Sequence, residues 1–206
     1  MGLIVVDNSL VKTALTALRD KDTPPENFRK LAATVATVVA AEAARNLPLR
    51  IAPVKTPIET TDGYYFERGL IAVPVLRAGL GMLEPVLELL PFAKVGYLGL
   101  ERNEETAVAS VYYSKLPPLE GSDVWILDPM LATGGSSARA AEILYSAGAE
   151  SISLLCIVAA PEGVALLKRE HPDIQIITAS LDRELNTKKY IMPGLGDFGD
   201  RLFGTV

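Results

Sequence analysis

From residue 70 onward the chain repeats one unit, a short apolar run followed by a stretch whose apolar residues recur at helical spacing. The runs fall at 70–76, 94–100, 124–127, 153–159 and 174–179, and the stretches between them include 80–90, 137–147 and 161–171. Consecutive strands can pair in parallel only if the connection crosses the face of the sheet, so this alternation predicts a largely parallel sheet flanked by helices. Gly148 and Pro172, just past two of the stretches, are the stop signals such helices need. In an open sheet of this kind ligands bind beyond the carboxyl ends of the strands, where loops and helix N-termini gather. Three segments of the chain fit that position.

Before residue 70 the pattern changes. Ser9 predicts an N-cap for a helix over 10–19, with Val11, Leu15 and Leu18 on its apolar face. After Pro24 and Pro25 an alanine-rich helix is predicted over 28–47, its apolar residues Leu31, Val35, Val38 and Val39 again at helical spacing. Residues 48–69 read as an extended arm or strand pair, interrupted by Pro53 and Pro57, with Asp62 and Gly63 as the turn signal. At the other end, residues from 194 onward are glycine-rich and predict a loop.

Composition excludes several classes. With 49% hydrophobic and 22% charged residues the chain is too apolar to be disordered. Twenty basic against twenty-five acidic side chains leave a net charge of -5, which argues against a nucleic-acid partner. The longest wholly apolar run, 154–160, is far short of the roughly 18 residues a membrane helix needs. The single cysteine, Cys156, lies in that run and is expected to be a buried structural thiol. The first residues lack a basic leader region, and Val6 stands where a myristoylation signal needs Ser or Thr, so a cytoplasmic protein with no membrane partner is expected.

The strongest of the three segments runs from an apolar strand into Asp128, Pro129, Met130, Leu131, Ala132, Thr133, Gly134, Gly135, Ser136 and Ser137. Backbone N–H groups of residues 132–136 would point at an anion, the glycines remove side chains that would hold it away, and the hydroxyls add donors. No Lys follows the glycines, so this is not a P-loop. An acid beside a phosphate repels it unless the acid meets sugar hydroxyls or a divalent cation, so Asp128 points to a ribose phosphate. The alternative is an ordinary strand, turn and capped helix.

The second segment, 73–81, carries Arg77, and the third, 101–106, carries Arg102. Two guanidinium forks near one sheet edge suit a diphosphate. The tail holds a decoy: Gly194, Gly196 and Gly199 match the dinucleotide fingerprint, but too few residues follow for a helix and a return strand. What remains is a rigid loop opened by Pro193, suited to offer backbone groups to a flat ligand.

On these residues the chain resembles the uracil phosphoribosyltransferases. The string from Asp128 to Ser136 has the form that family gives its 5-phosphoribosyl-1-diphosphate loop, and the resemblance extends through 75–80, 102–106, 158–163 and 190–205. It implies a type I phosphoribosyltransferase fold with a small appended hood or arm. All 206 residues then form one domain, with helices and arm over about 1–69, core sheet over 70–180 and base-binding loop over 186–206.

Carried over by position, Arg77, Arg102, residues 128–136 and Asp197 are assigned to phosphoribosyl diphosphate. Ile191, Gly196, Asp197 and Phe198 are assigned to uracil, and Asp128, Arg102 and Asp197 to catalysis. The implied reaction joins uracil to 5-phosphoribosyl-1-diphosphate, giving UMP and diphosphate, with Mg2+ carried on the diphosphate rather than held by protein ligands. The resemblance also implies a homo-oligomer, dimer or tetramer, and a GTP effector, for which the chain shows no motif.

Two residues depart from the family pattern. Phe198 stands where many bacterial members have Ala, and Lys189 where Gly frequently precedes Tyr190. No residue stands out as a general base for the uracil N1; Asp197 qualifies by position alone, and the single histidine, His171, reads as a surface or capping residue at a helix end. Two rival functions remain. One is a non-catalytic regulator that senses phosphoribosyl diphosphate, and the other is a phosphoribosyltransferase for another base.

Overall fold

A computed structural model describes residues 2–205 apart from 103–108. In chain order the first elements are β1 (Leu3–Val5), α1 (Ser9–Arg19), α2 (Pro25–Ala44), β2 (Leu49–Lys55), β3 (Thr60–Phe66), β4 (Gly69–Leu76) and α3 (Leu80–Leu89). Next come β5 (Lys94–Val95), β6 (Tyr97–Arg102), β7 (Ala109–Lys115), β8 (Ser122–Leu127), β9 (Met130–Leu131), α4 (Gly135–Ser146) and β10 (Ser151–Ala159). The last are α5 (Pro161–Glu170), β11 (Gln175–Leu181), β12 (Glu184–Leu185), β13 (Ile191–Met192) and α6 (Phe198–Phe203).

The main sheet runs β1-β11-β10-β8-β4-β6-β7 and is parallel throughout except for the β6–β7 pair. Its central strands are apolar on both faces because both faces are covered. In β8, Trp125 and Leu127 face a core shared with α1, α2, α3 and α6, while Val124 and Ile126 face a second core built with α4 and α5. The two-residue period of a strand therefore divides one continuous apolar run between two cores. Cys156 belongs to the second core and is fully buried, and loss of hydration pushes its thiol pKa up to about 12. As expected, it is a structural thiol.

Several expected boundaries move, each for a local reason. The α1 N-cap is Asn8 rather than Ser9: the Asn8 Oδ1 accepts from the Leu10 and Val11 amides at 2.9 and 3.3 Å. Helix α2 starts at Pro25, whose missing N–H is harmless in a first turn, and ends three residues before the expected 47. The expected strand at 94–100 is two, β5 and β6, separated by Gly96, which packs against Leu116.

The strand pair β2–β3 turns at 56–59, not at Asp62 and Gly63, which lie inside β3 opposite Pro53 and Ala52. Thr56 closes this turn, its Oγ1 accepting from the Ile58 and Glu59 amides at 3.1 and 3.0 Å. In the tail, the expected loop contains the helix α6, which begins at the Asp197 carboxylate and stops at Gly204 with φ 68°. The short apolar start of the chain becomes β1, an edge strand paired with β11.

Candidate active site

The site lies past the carboxyl ends of β4 and β8. At the end of β8 the Asp128 amide donates to the Leu155 carbonyl at 3.1 Å, and β9 pairs with β10 at Val158 and Ala159, so the loop is pinned before and after the acid. Gly134 then takes φ +86°, and a Cβ there would lie 2.9 Å from the Gly163 carbonyl oxygen. Only glycine satisfies both demands. Helix α4 follows at once, and the residues of its first turn, whose amides no helical carbonyl reaches, line the cavity.

Asp128 is anchored from two sides. Its Oδ2 accepts from the Ser137 hydroxyl at 3.0 Å and its Oδ1 from the Met130 amide at 3.4 Å. Burial disfavours its charged form and pushes the pKa up to about 6, against the pull of those two donors.

Across the cavity, Arg77 follows β4 after a cis Leu76–Arg77 peptide. Its Nη2 lies 3.5 Å from the Asp200 carboxylate, and its guanidinium sits 5.7 Å from the centre of the Phe203 ring. Phe203, 42% exposed, serves as this partner. Gly79 lets the chain turn here, since a Cβ would fall 2.6 Å from the Val75 amide nitrogen. The cavity has a volume of about 300 Å³ and is bounded by Arg77, Asp128, residues 132–137 and Lys189. The Arg102 side chain and residues 103–106, expected to join this site, lie outside the described residues.

A second cavity, about 240 Å³, is lined by Ile191, Gly196, Asp197 and Phe198, all four residues expected to meet the base. It shares Ala78, Met130, Ala132 and Lys189 with the first, so the two are neighbours along one groove. The Phe198 ring is buried and meets Phe28 edge-on with centroids 5.2 Å apart, so it packs as a core residue. Asp197 Oδ1 accepts from the Asp200 amide at 2.9 Å and caps α6.

Sequence reasoning missed Ser137 as the holder of Asp128, Asp200 as the partner of Arg77, and Lys189 as a wall of both cavities. Lys189 carries a positive φ of 67°, which its place in a position often taken by Gly already hinted at. His171 stacks on Tyr145 at 5.8 Å, remote from both cavities. Among the described residues no group of three His, Cys, Asp or Glu side chains could hold a metal.

A family model described as uracil phosphoribosyltransferase matches residues 5–205. The chain belongs to that family. The uracil phosphoribosyltransferase of Thermosipho africanus is 48% identical over 207 residues, covering all of both chains. A solved protein from Aquifex aeolicus superimposes with a TM-score of 0.92 at 38% identity, covering 98% of this chain and 97% of that one. A hypoxanthine phosphoribosyltransferase from Staphylococcus aureus shares the fold at a TM-score of 0.51 and 11% identity, covering 81% and 85%. The fold of this uracil phosphoribosyltransferase family member is therefore the type I phosphoribosyltransferase fold, as expected.

Proposed function

We propose that the protein transfers the 5-phosphoribosyl group of 5-phosphoribosyl-1-diphosphate to N1 of uracil, releasing UMP and diphosphate. The observation that carries this reading is the shared wall of the two cavities, since a sugar can reach a base only where a phosphate cradle and a base site adjoin. Family membership fixes the base as uracil.

The chemistry follows from the residues. Breaking the bond from ribose C1 to oxygen leaves positive charge on the sugar and negative charge on the diphosphate, and both must be stabilised in place. The open amides of α4 hold the 5-phosphate. Asp128 binds the ribose hydroxyls and, as a carboxylate, faces the developing oxocarbenium. Arg77 and Arg102 receive the departing diphosphate with forked donors. Magnesium, when bound on the diphosphate, would neutralise part of its charge, and Asp128 is the carboxylate among the residues that line the cavity.

The loop around Ile191, Gly196, Asp197 and Phe198 orients the base with N1 toward the sugar. Uracil shows acceptor, donor and acceptor along O4, N3–H and O2, so complementary backbone groups leave cytosine with unpaired buried atoms. Asp197, already engaged as a helix cap, remains an acceptor near N1, and the step is equally open to a route without a protein base.

The resemblance further supports a homo-oligomer and a GTP effector, and the single-domain division at about 69 and 186. The exposed Leu49, Ile51, Ile58 and Tyr64 of the β2–β3 hairpin supply an apolar surface for the oligomer. Among the described residues no helix is long and apolar enough to cross a membrane.

The test is an assay of the purified protein with phosphoribosyl diphosphate, magnesium and, in parallel, uracil, cytosine, hypoxanthine and orotate. UMP from uracil alone is expected. No product from any base, with phosphoribosyl diphosphate still bound, would turn the reading to a sensor. Adding GTP to the same assay, and measuring mass by light scattering, tests the effector and the oligomer.

A further inference from the structure

The loop that bounds the base cavity is held from behind by two charged residues that do not line that cavity. Asp182, just past β11, is 6% exposed, and its own amide donates to the Ala159 carbonyl of β10 at 2.8 Å. Its Oδ2 accepts from the Gly194 amide at 2.8 Å and from Arg19 Nη1 at 2.7 Å. Its Oδ1 accepts from Arg19 Nη2 at 2.6 Å and from the Ser180 hydroxyl at 2.7 Å. Arg19, the last residue of α1, also donates from Nη1 to the Gly194 carbonyl at 2.7 Å. Both main-chain groups of Gly194 are thus fixed, the amide by Asp182 and the carbonyl by Arg19.

Gly194 lies between Ile191 and Gly196, two of the residues assigned to the base. Its φ of +61°, with the space for a Cβ taken by the Ile191 carbonyl, makes it the bend on which the loop turns. We infer that the Arg19–Asp182 pair is a positioning device for base recognition, setting through Gly194 where the loop's backbone groups stand. A bidentate Arg–carboxylate pair is among the stiffest polar contacts a protein makes. Recognition by backbone hydrogen bonds tolerates only a fraction of an ångström before pairing is lost. Burial works against the Asp182 charge, yet the Arg19, Ser180 and Gly194 donors hold its carboxyl below the usual range, so the clamp stays charged at neutral pH. The phosphate cavity, bounded by Arg77, Asp128 and the start of α4, has no contact with this pair and is expected not to notice its loss.

This inference rests on the uracil reading, and steady-state kinetics separate the two. Asp182→Asn keeps an acceptor for the Gly194 amide but loses the charge opposite Arg19; Arg19→Lys keeps a charge but loses the fork and carries the test where Asp182→Asn does not fold. The expected result is a KM for uracil raised tenfold or more by Asp182→Asn and less by Arg19→Lys, with the KM for phosphoribosyl diphosphate within about twofold of wild type. A purely structural role would instead lower melting temperature and active fraction while leaving both KM values alone. Wild-type turnover of uracil together with an unchanged uracil KM in a folded variant overturns this inference alone. So does a parallel rise in both KM values. A wild type that makes no UMP overturns the uracil reading and this inference with it.

Discussion

The Ser137 hydroxyl donates to Asp128 across 3.0 Å, so the first turn of α4, whose residues line the phosphate cavity, also holds the acid beside it. Burial has raised that acid to about 6, and Ser137 opposes the rise. If the carboxylate form is the working one, kcat/KM falls as pH drops through about 6. Ser137→Ala removes an opposing donor and moves this acid limb to higher pH, which a pH–rate profile reads directly. Asp128→Asn is expected to lower kcat roughly a hundredfold, as losing a preorganised charge of this kind commonly does. Near-normal turnover of the folded variant would remove Asp128 from the mechanism.

The same shift has a sign for stability. A carboxyl whose pKa rises on folding from 3.8 to about 6 binds its proton more tightly when folded. Its contribution to stability is full below 3.8 and is lost as pH rises through 6, a difference of up to about 3 kcal/mol. Asp128→Asn removes that loss. The unliganded variant should therefore melt higher than wild type at pH 7, while the two converge near pH 4; a melting temperature below wild type at pH 7 would contradict this.

Gly134 is the position where the phosphate loop has least room. Gly134→Ala meets both the strain of φ +86° and the Gly163 carbonyl oxygen 2.9 Å away, so the loop must shift. A loss of about 1–3 kcal/mol in stability is expected, with at least a tenfold rise in the KM for phosphoribosyl diphosphate. Unchanged kinetics would mean that the loop's shape is not what holds the ligand.

Arg77→Lys keeps a positive charge but loses the fork and the flat face laid over Phe203. The exposed pair with Asp200 adds little stability, so the melting temperature should move by no more than about 1–2 °C. Phosphoribosyl diphosphate should bind roughly tenfold more weakly, on the scale of one lost charge-assisted hydrogen bond. Titration calorimetry without uracil reads this effect in isolation.

Lys189 holds a positive φ of 67° without being glycine. Lys189→Gly relieves that strain and is expected to stabilise the fold by about 0.5–1 kcal/mol, a melting shift of roughly 1–4 °C. A drop in melting temperature would mean that the side chain's contacts along the groove outweigh the strain.

The features legible in the sequence were those written over a short span. Asp128 and Gly134 sit six residues apart, with a strand before them and a helix after, and apolar runs buried on both faces leave little doubt about the sheet. The β2–β3 turn was misread because both strands are largely exposed, and a hairpin with no buried face has no pattern to fix its register. Helix α6 escaped because six residues are too few for periodicity, although Asp197 is an ordinary cap. The Arg77–Asp200 and Arg19–Asp182 pairs join residues far apart in sequence, 163 positions in the second case, and no local pattern reports such a partner. Phe198 was assigned to the base pocket by position, and nothing local announced that Phe28 would receive its ring.

The base loop is clasped at both ends of the chain. Arg201 donates to the Leu195 carbonyl and Arg29 to that of Leu202, while Arg19 reaches Gly194. A chain made from its amino end presents α1 and α2 early, and they must wait for residues 194–202 before this clasp can close. The phosphate loop itself packs against β10 and α5, although the cavity it serves also takes Lys189 as a wall. At about 5–20 residues per second, the stretch from the end of β11 to α6 takes a second or more to synthesise. The phosphate loop can thus take its shape while the base loop is still unmade, and the groove the two share closes only when Lys189 arrives.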